Sequence, residues 1–121
     1  MHRSEEYRAV EGVVRSLGLT CANLSIRQFL CGVVLIHYDD TLINGVTKRL
    51  YPKIAEHYPN ANWKSVERNL RLARDAIVEQ SDPKRLEEVM GFRLRRSLSV
   101  GDLLDAVEYY MYRNHLWPTE Y

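Results

Sequence analysis

Trp63-Lys64-Ser65-Val66-Glu67-Arg68-Asn69-Leu70-Arg71-Leu72-Ala73-Arg74-Asp75-Ala76-Ile77-Val78-Glu79-Gln80 repeats its apolar residues at intervals of three and four, the period of an amphipathic helix. At ~100° per residue, Val66, Leu70, Ala73 and Ile77 gather on one side of that helix, and this side is expected to be buried. Lys64, Arg68 and Arg71 gather on the opposite side, with Glu67 and Arg74 along one border. Asp75 closes the basic stripe toward the C-terminus, so the cationic charge lies in the first half of the helix.

Immediately upstream, Pro59-Asn60-Ala61-Asn62 is rich in turn formers, and Asn62 can cap the helix that follows. Proline suits the first helical position, so Pro52 is expected to open a short helix running to about Tyr58. A short helix, a four-residue turn and a long helix with basic residues in its first half have the layout of a helix-turn-helix over about 52–80. In that motif the second helix presents its N-terminal half to the major groove while the first crosses the backbone.

The rest of the chain is also predicted to be helical. Val10, Val13, Val14 and Leu17 make one face of a first helix that Gly18 stops. Ile26, Phe29, Leu30, Val33 and Ile36 or His37 make a second, capped by Asn23 or Ser25 and ended near Asp39-Asp40. Leu42, Ile43, Val46 and Leu50 form a third periodic stretch that runs into Tyr51-Pro52. Ser81-Asp82-Pro83 starts a short helix through Leu86, Val89 and Met90 that Gly91 ends. Ser99 or Asp102 starts the last, carrying Leu103, Leu104, Val107, Tyr110 and Met111. No segment sustains the alternation of a strand, and no linker, repeat or low-complexity tract divides the chain. The expectation is a single all-α domain over residues 1–121.

Composition narrows the classes of function. With 121 residues, 45% apolar and 27% charged, the chain has the make-up of one ordinary globular domain. The longest apolar run, Val33-Val34-Leu35-Ile36, is far short of the ~20 residues of a membrane span. His2, Arg3, Glu5 and Glu6 follow Met1 where a secretory leader would be apolar, so a cytoplasmic protein with reduced Cys21 and Cys31 is expected.

Charge position says more than the net charge of +1. Between Asn44 and Arg74, seven bases (Lys48, Arg49, Lys53, Lys64, Arg68, Arg71, Arg74) face two acids, Glu56 and Glu67, for a local net of +5. Such asymmetry suits a phosphate-facing surface. The alternative is a solvated helix face laced by pairs such as Glu67 with Arg71.

Catalytic and metal constellations are not apparent. Cys21, Cys31, His37 and His57 match no zinc spacing. Asp39-Asp40 are adjacent and diverge by ~100° on a helix, which suits a solvated helix end better than an acid/base pair. Asn44-Gly45 alone makes no phosphate loop. Tyr109, Tyr110 and Tyr112 sit at helical spacing, which favours core or interface over base stacking. The expectation is a non-enzyme without metal, cofactor, small-molecule substrate or membrane partner.

Val46-Thr47-Lys48-Arg49-Leu50-Tyr51-Pro52-Lys53-Ile54-Ala55 and Ser65-Val66-Glu67-Arg68-Asn69-Leu70-Arg71 resemble the C-terminal effector domain of the stage zero sporulation protein A family, response regulators of spore-forming bacteria. Leu17-Gly18-Leu19, His37-Tyr38-Asp39-Asp40 and Met90-Gly91-Phe92 extend the likeness over most of the chain. The resemblance implies a compact six-helix, sequence-specific DNA-binding transcription regulator containing a helix-turn-helix variant. It assigns base contacts to Glu67, Arg68 and Arg71, and in part to Lys64. This chain has Lys64-Ser65 where the family carries a serine-arginine pair, and Trp63 and Leu72 also depart from the family pattern. Lys48, Lys53, Ser65, Arg74, Arg93, Arg95 and Arg96 are the candidate DNA-backbone contacts. A receiver domain has no room in 121 residues, so phosphorelay control is not expected. Double-stranded DNA is the expected partner, and family resemblance alone suggests a DNA-dependent homodimer on tandem sites. The rival is a protein-interaction module on the same fold, using Tyr109, Tyr112 and Trp117.

Overall fold

The computed structural model describes residues 4–91 and 98–118. The described residues include six α-helices: α1 (Glu5–Ser16), α2 (Leu24–Tyr38), α3 (Tyr51–Ala55), α4 (Trp63–Gln80), α5 (Pro83–Met90) and α6 (Val100–Arg113). No strand occurs among the described residues. The fold is all-α, as the periodicity predicts.

Local chemistry sets the boundaries. Ser4 accepts a hydrogen bond from the Tyr7 N–H at 3.1 Å to start α1. Asn23, rather than Ser25, caps α2 by accepting from the Ile26 N–H at 2.9 Å. Ser99, rather than Asp102, caps α6. Asp82 caps α5, and Gly91 closes it with φ of 81°, a left-handed conformation in which a Cβ would be strained.

Helix α2 is buried on nearly every side, including Phe29, Leu30, Cys31, Val33 and Ile36; α1, α3, α4 and α6 pack around it, and α5 packs on α6. An apolar surface all round marks a central core helix. No single helix among the described residues is long and apolar enough to cross a membrane. Cys21 and Cys31 are buried and unbridged, and burial pushes the Cys31 thiol up to about 12.

Two anchors place α4 on this core. Val66, Leu70, Ala73 and Ile77 are fully buried, as the periodicity of the helix requires. Beside them, the Asn69 amide donates to the Gln28 side-chain oxygen at 3.0 Å, satisfying a polar group that is itself buried on α2. The turn before α4 is tied down as well, because the Tyr58 hydroxyl donates to the Arg27 carbonyl at 3.0 Å.

The stretch before α4 departs from expectation. The chain does not break and restart at Pro52: a 3-10 segment (Asp40–Gly45) leads into a π-type turn (Val46–Leu50) that continues directly into α3. The Tyr51 N–H reaches back to the Val46 carbonyl across the widened turn. A wider turn relieves the crowding a proline ring otherwise causes, and Pro52, near the start of α3, has no N–H to leave unmatched. The helix then ends at Ala55 and not near Tyr58.

Candidate nucleic-acid interface

The N-terminus of α4 is held by a reciprocal cap. Asn62 accepts from the Ser65 N–H at 3.0 Å, while the Ser65 hydroxyl accepts from the Asn62 N–H at 3.1 Å and donates to the Asn62 carbonyl at 2.9 Å. Ser65 therefore positions the helix start, and a phosphate contact from its hydroxyl competes with that cap.

From this start the basic residues project as the helical wheel predicts. Lys64, Arg68 and Arg71 are exposed, and Glu67 and Arg74 are half-buried along the border. Arg68 has no hydrogen bond or ion pair among the described residues. Arg71 lies 3.7 Å from Glu67, the i,i+4 pair anticipated from spacing. That pair is long and mostly solvated, so it restrains Arg71 weakly. Arg74 is held by Asp75 at 3.1 Å.

The flanking cations divide into two kinds. Lys48 and Lys53 are exposed and carry no hydrogen bond or ion pair among the described residues. Arg49 instead donates to the Thr41 carbonyl and hydroxyl, both at 3.2 Å, which ties the π-type turn to the 3-10 segment. Arg93, Arg95 and Arg96 lie outside the described residues.

A groove of about 590 Å³ runs between the π-type turn, the Glu67–Arg71–Arg74 border of α4 and the start of α6. Thr47 of the π-type turn and Tyr51 at the start of α3 are among its lining residues. The Tyr51 phenol is pushed up by burial and by the neighbouring Glu67 carboxylate, so it is a neutral wall at physiological pH. Thr47 was not singled out from the sequence, since a lone threonine in an irregular segment carries no periodic signal. Among the described residues no group of three or more His, Cys, Asp or Glu side chains is placed to hold a metal ion.

Chemically, this surface offers guanidinium forks for guanine edges, one carboxylate able to accept from a cytosine amino group, and ammonium groups for phosphates. A family model described as sporulation initiation factor Spo0A C terminal matches residues 10–101. The chain belongs to the Spo0A C-terminal family. No curated protein matches it. The Spo0A C-terminal family is a DNA-binding effector domain of a sporulation regulator rather than a family of enzymes. The matched span takes in α2 to α5 whole, so α3, the turn and α4 all lie within it. Most of α6 and the segment after it lie beyond the Spo0A C-terminal match.

Proposed function

We propose that the 121 residues form one sequence-specific DNA-binding unit that regulates transcription, with the first half of α4 lying in the major groove of double-stranded DNA. The carrying observation is Arg68: exposed, without a partner among the described residues, and on the same face as Lys64 and Arg71. A guanidinium in that setting is ready to donate two parallel hydrogen bonds to guanine. Glu67 and Arg71 read neighbouring bases, and Lys64 contributes at the helix start. Lys48, Lys53 and Arg74 neutralise phosphates, with the basic residues Arg93, Arg95 and Arg96 extending that set. A chromosomal partner places the protein in the cytoplasm, and two copies on tandem sites are expected from the family relationship.

Selection from a random duplex pool tests this reading. Enrichment of one short G/C-containing box is expected, with log K falling against log salt with a slope of about −4 to −5 for four to six neutralised phosphates. A pool that returns no enriched sequence overturns specific readout.

One observation favours a protein-interaction module instead: Tyr109 and Tyr112 are exposed on α6, with ring centroids 6.3 Å apart. Trp117 lines one hollow with Tyr112. Its ring stacks on His37 at 3.8 Å, and its N–H donates to Glu108 at 3.1 Å. Self-association in light scattering without DNA, together with failure to enrich a box, supports this second reading.

A further inference from the structure

Trp63 opens the stripe on α4 that the proposed base readers continue. Glu67 and Arg71 follow it at i+4 and i+8, the spacing that stacks side chains along one helix face, and Arg74 lies on the same border. A large aromatic residue at the first position of a helix has no packing reason to stay in water, yet Trp63 is 42% exposed. One face of its indole is approached by the Lys64 ammonium, 5.7 Å from the ring centroid. Its Nε1–H, a group that can only donate, has no hydrogen bond among the described residues. The reciprocal Asn62–Ser65 cap fixes the backbone on either side, so the ring is presented from a rigid support.

We propose that Trp63 is a DNA-backbone contact of this chain: the indole packs against a deoxyribose at the margin of the major groove, and its Nε1–H donates to the adjoining phosphate oxygen. This rests on the placement of α4 proposed above and adds a residue to it. A phosphate accepts only, and the indole N–H donates only, so the two are complementary. Helix N-termini also favour anions. Lys64, beside the ring, helps to hold it in place. A contact of this kind positions the helix and carries no sequence information.

Two measurements test it. Binding of Trp63→Ala and Trp63→Phe to the selected box and to a scrambled duplex is compared with that of the unaltered chain. Roughly tenfold weaker binding by Trp63→Ala on both duplexes is expected, with discrimination unchanged and Trp63→Phe intermediate because it keeps the packing and loses the donor. In a Trp117→Phe background, where Trp63 is the only indole, saturating duplex is expected to quench its emission and shield it from iodide. Preferential loss on the box overturns the backbone assignment. Unchanged affinity in Trp63→Ala, or an unchanged emission and iodide response at saturation, overturns the contact while leaving the α4 reading standing. A chain that retains no duplex at all overturns both.

Discussion

Arg68 and Lys53 are both exposed cations without an internal partner, and they are expected to fail in different ways. Arg68→Ala should cost about 1–3 kcal/mol on the selected site and relax discrimination at one base pair, whereas Lys53→Ala should weaken all duplexes alike and reduce the salt slope by about one. Equal losses on cognate and scrambled duplexes for Arg68→Ala contradict its reading role. Glu11 supports a stability prediction. Burial pushes its carboxyl up, but hydrogen bonds from Arg15 and Arg8 outweigh that and hold it below its ordinary value of 4.5. A carboxyl with a lowered folded value stabilises fully above the unfolded value, and its contribution fades as pH falls through the folded one. Glu11→Gln should therefore flatten the acid limb of a Tm-against-pH curve below about 4.5. An acid limb of unchanged steepness shows that other carboxylates govern it. The Glu67–Arg71 pair and the exposure of Arg68 were legible from 3.6-residue spacing alone. The part Asn69 plays was not, because nothing in a linear pattern shows that a glutamine on another helix waits opposite it.

Helix α4 has the boundaries that its sequence announces, since an asparagine cap, a periodic apolar face and a following Ser-Asp-Pro are all short-range signals. Asn62→Ala should cost about 1 kcal/mol of stability through the lost cap. It should also weaken DNA binding beyond what stability accounts for, because the first turn carries Trp63 and Lys64; thermal melts beside binding curves separate the two effects. The path from Asp40 to Ala55 was less legible. The sequence leads to the expectation of a fresh helix start at Pro52, and the chain instead runs on from the π-type turn into α3. Leu42, Ile43, Val46 and Leu50 keep a helical hydrophobic period, which does not distinguish hydrogen bonds to the fourth neighbour from those to the third or fifth. Proline marks a helix start and a widened turn equally well, and the choice depends on the core beneath, where Leu50, Tyr51 and Ile54 are all buried. The start of α3 shifts by one residue and its end comes about three residues early, so seven residues, 56–62, separate it from α4 where a turn of four was expected.

For the molecule as a whole, α2 is the part to which the interface is referred. Gly32 lies where a Cβ would meet Ile54 of α3 and Leu104 of α6, each at 3.2 Å, so the close approach of three helices depends on a missing side chain. Family membership and six-helix composition follow from features spread along the sequence, but the register between α2 and α4 is a tertiary fact. Asn69→Ala should leave the buried Gln28 amide oxygen unmatched and cost about 1–3 kcal/mol of stability. A melt within experimental error of the unaltered chain counts against the bond. The amide-to-amide link has a mechanical consequence as well. A cylinder lying on greasy side chains can roll, and on a helix of roughly 5–6 Å radius a roll of about ten degrees carries an arginine tip sideways by about an ångström. Gln28 acts as the key that stops this shaft from turning, and under the proposed placement of α4 the preference for one nucleotide over another is then partly set by an amide sealed in the interior, which never meets the double helix.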